Sequence, residues 1–198
     1  MDQQTIDSYN ELAEKYDEET QDFWSRFPRT FLDKFIRLSG KGDVLDLGSG
    51  PGRDAEILRE EGCSIVCLDA SEKMIQLTEA RGLRSVLGDF MALPFEAESF
   101  NTVWAYTSLL HIPKKEIELA LKEIYRVLKS QGIFGLGLIE GEVEEYRETA
   151  KVPKPRLFSF YKKDEVEELM TRFGFELVYF EKFKPNNKNY LNFIYKKS

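Results

Sequence analysis

The sequence predicts an α/β fold: a doubly wound, mostly parallel sheet of seven strands with a C-terminal antiparallel β-hairpin. Three observations carry that expectation. Short apolar runs alternate with amphipathic helical segments between residues 44 and 140. A glycine-rich turn, Gly48-Ser-Gly50-Pro-Gly52, joins the first apolar run to the helix after it. Two β-rich segments, FELVYFEKF and NYLNFIYKK, flank the turn-forming PNNK near the end.

Taken in order, Ile6, Tyr9, Ala13 and Tyr16 fall at helical spacing, so 4–17 reads as an amphipathic helix. Pro28 suits the first turn of a second helix, with Phe31, Phe35 and Leu38 as its buried stripe and Gly40 and Gly42 ending it. VLDLG (44–48) reads as a buried strand, 52–61 as a helix and SIVCLD (64–69) as a second strand. SEKMIQLTEA (71–80) reads as a helix capped by Ser71. RSVLGD (84–89) and FNTVWAYT (100–107) are the third and fourth strands. A helix with Ile117, Leu121, Ile124 and Leu128 on one face leads through a turn at Gln131 and Gly132 into a fifth strand, IFGLGLIE (133–140). The stretch EGEVEEYRETAKVPKPRLFSFY is long for a plain connection and reads as a functional loop. Residues 163–173 form the last expected helix, with Val166, Leu169, Met170 and Phe173 inward, before the closing hairpin.

Composition bounds the function. At 198 residues the chain suits a single domain with a real core. Its 35 acidic against 28 basic residues, net −7, disfavour a non-specific grip on nucleic acid. No apolar run approaches the ~20 residues that span a bilayer, and the acidic, helical N-terminus is unlike a targeting peptide, so a cytoplasmic protein without membrane attachment is expected. Cys63 and Cys67, with one His in the chain, suit small buried residues better than a disulfide or a metal site. No metal is expected.

The chemistry begins at Asp46-Leu-Gly48-Ser-Gly50-Pro-Gly52-Arg53. Glycines let the loop turn tightly and let a ligand lie on bare backbone, and the helix behind them offers unpaired amides. Asp69 ends the second strand, where an acid can accept hydrogen bonds from both hydroxyls of a ribose. Asp89 ends the third, where an adenine amine can donate to it. The spacing is GxGxG, not the GxGxxG of dinucleotide sites.

In that loop, in CLDAS (67–71), GDF (88–90), FNTVWAYTSLLHIP (100–113) and the LKSQG turn (128–132), the chain resembles the class I S-adenosylmethionine-dependent methyltransferases. The resemblance runs from YNELAEKYD (9–17) to the hairpin and implies S-adenosyl-L-methionine as cofactor. It divides the domain into a helical lid (1–39), a cofactor-binding core (40–140) and an acceptor-side loop, helix and hairpin (141–198). It places Gly48, Gly50 and Gly52 beside the methionine portion, Asp46 on its amino group and Asp69 on the ribose, with Ala70 adjacent. Met74 packs on the adenine, Asp89 and Phe90 meet its edge, and Ala105 lines the methyl-transfer side. Arg53 either reaches the cofactor carboxylate or pairs with Glu56 on the surface. Tyr9, Tyr16, Trp24 and Arg29 belong to the lid; Tyr16 either touches the cofactor or, with Tyr9, completes the buried face.

For catalysis the candidates are His111, as base or acceptor anchor, and Tyr106 facing the acceptor. The competing reading of His111 is a capping or packing histidine. Glu140, Arg156 and Tyr161 lie where acceptor recognition usually sits in the family, the competing reading of each being a solvated loop residue. WAYT stands where an Asn-Pro-Pro-aromatic motif would be, disfavouring amino-methylation of adenine or glutamine, and the chain has no Pro-Cys nucleophile for cytosine. The expected partner is a small-molecule acceptor, on a monomer or homodimer. A tRNA or protein methyltransferase is the alternative, on account of Lys182, Lys184, Lys188, Lys196 and Lys197, and a non-catalytic cofactor-binding module is the third reading.

Overall fold

The computed structural model describes residues 1–20, 22–26, 29–149, 152–185 and 188–198, so Pro28 and the centre of the PNNK turn lie outside the described residues. Three helices come first: α1 (Gln3–Thr20), the short α2 (Phe23–Arg26) and α3 (Thr30–Ser39). The alternating region follows as β1 (Asp43–Leu47), α4 (Arg53–Glu60), β2 (Ser64–Asp69), α5 (Glu72–Ala80), β3 (Ser85–Leu87) and β4 (Phe100–Tyr106). After a 3-10 turn at Leu109–His111 come α6 (Ile117–Val127), β5 (Leu128–Ile139), β6 (Glu144–Arg147), β7 (Arg156–Ser159), α7 (Lys163–Arg172), β8 (Phe175–Phe183) and β9 (Tyr190–Lys197).

Seven strands form one sheet in the order β3-β2-β1-β4-β5-β9-β8. Strands β1 to β5 run parallel, and β9 is antiparallel to both neighbours. The chain works outward on both sides of the β1–β4 pair, and the crevice at that switch is where such sheets bind ligands.

Strand alternation assigns the two faces. Leu45, Leu47, Val103, Ala105, Phe134 and Leu136 pack with Leu121 and Ile124 of α6 and Val166 and Met170 of α7. On the other face Val44 and Trp104 pack with Phe31, Leu32 and Phe35 of α3 and Leu58 of α4. Gly135 and Gly137 explain how the large rings fit there. A Cβ at Gly135 would lie 2.6 Å from Trp104, and one at Gly137 2.3 Å from Tyr106, so the two rings lie flat on β5.

The structure departs from expectation in four places. Strand β5 starts at Leu128 and absorbs the expected turn as a register break against β4, with Gln131 at φ 64°. The expected functional loop carries a two-stranded antiparallel ladder, β6 on β7. Helix α2, unmarked by any periodicity because it is only four residues long, precedes α3. In α1 the inward residues are Thr5, Ser8, Ala13 and Thr20, while the helix breaks at Leu12 (φ −117°, ψ 18°).

Candidate active site

A cavity of about 510 Å³ opens at the carboxyl ends of β1, β2 and β4, roofed by α1 and β7. That volume lies within the roughly 300–1,000 Å³ range of small-molecule sites. Its floor is the turn between β1 and α4. Gly48 at φ 75° packs so closely that a Cβ would lie 2.3 Å from Ser108, which needs glycine twice over. Gly50 at φ 54° faces the cavity, and the nearest atom to a Cβ there is Tyr16 Cε1 at 4.0 Å. A side chain at Gly50 would fill ligand space.

Three carboxylates gather at this end. Asp46 is 3% exposed, and its Oδ2 has no hydrogen-bond partner. Burial, then the charges of Asp54 and Asp69, push its carboxyl well above the usual range, with Arg53 opposing. Asp69 Oδ2 accepts from the Gly50 amide and Oδ1 from the Ser71 amide, both at 2.9 Å. Burial raises its pKa and those amides oppose the rise. Asp54 is a clamp: its two oxygens accept from Trp24 Nε1 (2.7 Å) and Trp104 Nε1 (2.8 Å). The orphaned oxygen of Asp46 beside the bare backbone at Gly50 fits a ligand carrying an ammonium group. Asp69 has further acceptor capacity for hydroxyls.

One wall is aromatic. Trp104 stacks on Tyr106 at 5.5 Å and 9°, and Tyr106 on Tyr190 at 6.3 Å and 8°. Burial pushes the Tyr106 phenol well above its usual value, so it is neutral.

The far end is a hydrogen-bonded chain. His111 Nδ1 lies 2.6 Å from the Leu157 carbonyl oxygen, which can only accept, so that nitrogen carries the proton. Nε2 then accepts from the Tyr9 hydroxyl at 2.9 Å, and that hydroxyl accepts from Arg156 Nη1 at 2.8 Å. Burial lowers the His111 pKa to about 3, so the ring is neutral. Burial likewise raises the Tyr9 phenol above its ordinary value, and the hydroxyl stays protonated.

Of the residues expected at the site, Tyr16, Asp46, Gly48, Gly50, Arg53, Asp69, Ala70, Met74, Phe90, Tyr106 and His111 line the cavity. Three do not. Ala105 is fully buried against the α6 face because strand alternation turns it away from Tyr106. Gly52 packs on α5, where a Cβ would lie 2.8 Å from Leu83. Asp89 accepts from the Met1 ammonium and from the Met91 amide, both at 2.9 Å. Arg53 donates to the Thr20 carbonyl and stands over the Tyr16 ring, while Glu56 pairs with Arg81 and Arg59 instead.

Among the acceptor-side candidates, Arg156 lines the cavity. Glu140 instead pairs with Lys182 at 2.6 Å, and Tyr161 is buried in the α6–α7 core. The basic edge is thinner than the sequence suggests, since Lys197 is 7% exposed and donates to the carbonyls of Tyr125 and Leu128. Sequence reasoning missed Asp54, whose only signal was its place after Arg53. It also missed Tyr190, Thr149 and Phe158, which long-range packing brings to the cavity. Both cysteines are free and buried. Among the described residues no helix is long and apolar enough to cross a membrane, and no cluster of His, Cys, Asp or Glu is placed to hold a metal ion.

Residues 45–136 match the family model of a methyltransferase domain. The chain is 35% identical over 171 residues to a sterol 24-C-methyltransferase of Debaryomyces hansenii, the match covering 75% of this chain and 44% of that protein. It therefore spans under half the length of the curated relatives it matches. The structure of the DhpI complex with S-adenosylhomocysteine superposes with a TM-score of 0.81 at 20% identity, covering 100% of this chain and 98% of that one. Burkholderia thailandensis 1,6-didemethyltoxoflavin-N1-methyltransferase, with bound 1,6-didemethyltoxoflavin and S-adenosylhomocysteine, gives a TM-score of 0.76 at 21% identity, covering 98% and 88%. At such identities the structural likenesses establish the fold.

Proposed function

We propose that the chain is a class I S-adenosylmethionine-dependent methyltransferase and that it methylates a small-molecule acceptor in this cavity; the match of residues 45–136 to a methyltransferase-domain model supports the reading. One observation carries the reading: Asp46 presents a buried, unpartnered carboxylate oxygen beside the open backbone of Gly50. In this reading Asp46 holds the cofactor's amino group, Asp69 its ribose and Arg53 its carboxylate, while Met74 and Phe90 enclose the adenine. Bound there, the cofactor supplies a methyl group on a sulfonium, which the acceptor's lone pair takes as the carbon–sulfur bond breaks and sulfur keeps the electron pair.

The residues around the acceptor do the positioning. Tyr106 and Tyr190 offer neutral aromatic faces, which suit a cationic group. His111 has both nitrogens engaged and a pKa near 3, so it orients Tyr9 and takes no proton from the acceptor. The reaction then relies on proximity and on the activation already present in the sulfonium. Sterol and toxoflavin methyltransferases among the relatives favour a small acceptor, and the neutralised lysines Lys182 and Lys197 weaken the tRNA reading.

A panel of small acceptors, bulk tRNA and protein, assayed with radiolabelled S-adenosylmethionine, tests the proposal. Transfer to a small molecule is expected. Transfer to tRNA or protein alone would overturn the acceptor class, and no binding of S-adenosylhomocysteine would overturn the whole reading.

A further inference from the structure

Arg156 is the most buried arginine of the described residues, at 4% exposure, and among them no carboxylate stands within ion-pair distance of it. Two part-buried arginines are neutralised, Arg81 by Asp17 and Glu56 and Arg126 by Glu123, whereas Arg53, less buried than Arg156, bonds the Thr20 carbonyl close to Asp46 and Asp54. Taking a cation out of water without a counter-charge costs several kcal/mol, so a buried guanidinium ordinarily has an anion beside it.

The neighbours of Arg156 supply none. Its Nη1 donates to the Tyr9 hydroxyl at 2.8 Å and Nη2 to Thr149 Oγ1 at 3.0 Å. The rings of Tyr9 and Phe158 lie 5.1 and 5.2 Å from the guanidinium carbon. Nε is buried with no partner. Thr149 Oγ1 also accepts from the Val152 amide at 3.1 Å, which leaves its hydroxyl hydrogen to donate outward. Tyr9, Thr149, Val152, Arg156 and Phe158 all line the same cavity, at the end away from the three carboxylates.

We propose that Arg156, with Thr149, is the anchor for an anionic group on the methyl acceptor: a carboxylate, phosphonate or phosphate. The proposal rests on the reading of this cavity as a methyl-transfer site, and it assigns the acceptor's chemical class. An acceptor so held places its charge on β7 and its opposite end towards Tyr106 and the glycine loop. Arginine suits such a group because its planar fork pairs with two oxygens at once.

The test uses acetate and methylphosphonate as probes, with acetamide and dimethyl methylphosphonate as neutral isosteres. Each is titrated in low-chloride buffer, with and without S-adenosylhomocysteine, while the melting temperature is followed. The two anions are expected to raise the wild-type melting temperature by about 3–6 °C at roughly ten times their Kd, and the neutral probes to leave it level. Arg156→Met is expected to abolish the shift, and Thr149→Val to cut anion affinity about five-fold.

Equal shifts from neutral and charged probes overturn the proposal, as do unchanged anion shifts in both variants. So does a loss of S-adenosylhomocysteine binding in Arg156→Met that leaves 5′-methylthioadenosine binding intact, because Arg156 would then hold the cofactor's carboxylate. Should Arg156→Met not fold, the Thr149→Val titration decides. Failure of the wild type to bind S-adenosylhomocysteine counts against the proposed function, while the anion titration without that ligand still reads Arg156 directly.

Discussion

At the glycine-loop end of the cavity Asp46, Gly48, Gly50 and Arg53 fall within eight consecutive residues, whereas at the far end Tyr9 meets His111 and Arg156 across 102 and 147 residues of chain. The first end is acidic and is built by one strand-to-helix turn. The second holds a neutral histidine, a neutral tyrosine and an unbalanced guanidinium, assembled by α1 packing on β7. Ser8 Oγ donates to the Pro155 carbonyl at 2.8 Å and the Leu157 amide to Thr5 Oγ1 at 2.9 Å, and these bonds hold the two elements together. Local sequence can specify a loop that binds a common cofactor. Tertiary packing is needed to specify what the cofactor meets.

The contrast depends on His111 being uncharged, and acid tests that most severely. Its folded pKa of about 3 lies below the unfolded value of 6.5, so the unfolded chain binds a proton that the folded chain refuses. The stability from this group is present above pH 6.5 and is lost as pH falls towards 3, at ~1.4 kcal/mol per pH unit. Urea unfolding followed against pH should show that slope in the wild type and lose about one proton's worth of it in His111→Asn. An identical slope in both would place a second cation beside Arg156 and erase the contrast between a neutral and a charged chain.

At the other end Gly50→Val should weaken S-adenosylhomocysteine by on the order of 100-fold, about 2.7 kcal/mol, measured by titration calorimetry. The side chain enters space that the structure leaves open to 4.0 Å. Anion-induced stabilisation through Arg156 should survive that substitution. If both fall together, the two ends are one site.

Asp69→Ala should cost ~1–3 kcal/mol of cofactor affinity, the loss of charge-assisted hydrogen bonds. It also frees the Gly50 and Ser71 amides, so part of the loss reflects a loosened turn. Asp46→Asn separates binding from stability. Asp46 has a raised folded pKa, so its contribution to stability is complete below the unfolded value of 3.8 and is lost as pH rises through the folded one. The ligand-free Asn variant should therefore melt higher than the wild type at pH 8 while binding the cofactor more weakly. A lower melting temperature would mean that the Asp46 charge is compensated within the fold.

These residues also show what was legible beforehand. Every strand of the main sheet could be read from apolar runs, and Gly48, Gly50 and Asp69 from their places at strand ends, because each signal lies within a few residues. Ala105 was misplaced by one step of a two-residue period, an error that turns a side chain to the opposite face. The ladder of β6 on β7 was hidden because Glu144, Glu145 and Arg147 give no apolar alternation, its pairing being fixed by where Leu157 and Phe158 are buried. Arg156 could be flagged from its loop, but the absence of a counter-ion is a fact of packing alone.

The smallest expected effect concerns α1, which spans both ends. Its first half is tied to β7 through Thr5 and Ser8, and Asn10 accepts from Ser71 Oγ at 2.7 Å. After the break at Leu12, its second half puts Tyr16 and Thr20 over the glycine loop, anchored by Asp17 to Arg81 at 2.8 Å. A lid in the sense the family resemblance implies should gain order when its aromatic face meets a ligand. Because Tyr16 and Thr20 of the second half overlie the glycine loop itself, hydrogen exchange at residues 13–20 should slow on adding S-adenosylhomocysteine by more than at residues 4–11. Both should change more than β1 and the buried part of β5, whose amides are already bonded on either side. Uniform slowing along α1 would mean that the helix moves as one body despite its break, and no slowing would make it a fixed wall of the cavity. In the second case Tyr9 and Tyr16 belong to the permanent packing, and the two ends of the cavity are set before any ligand arrives.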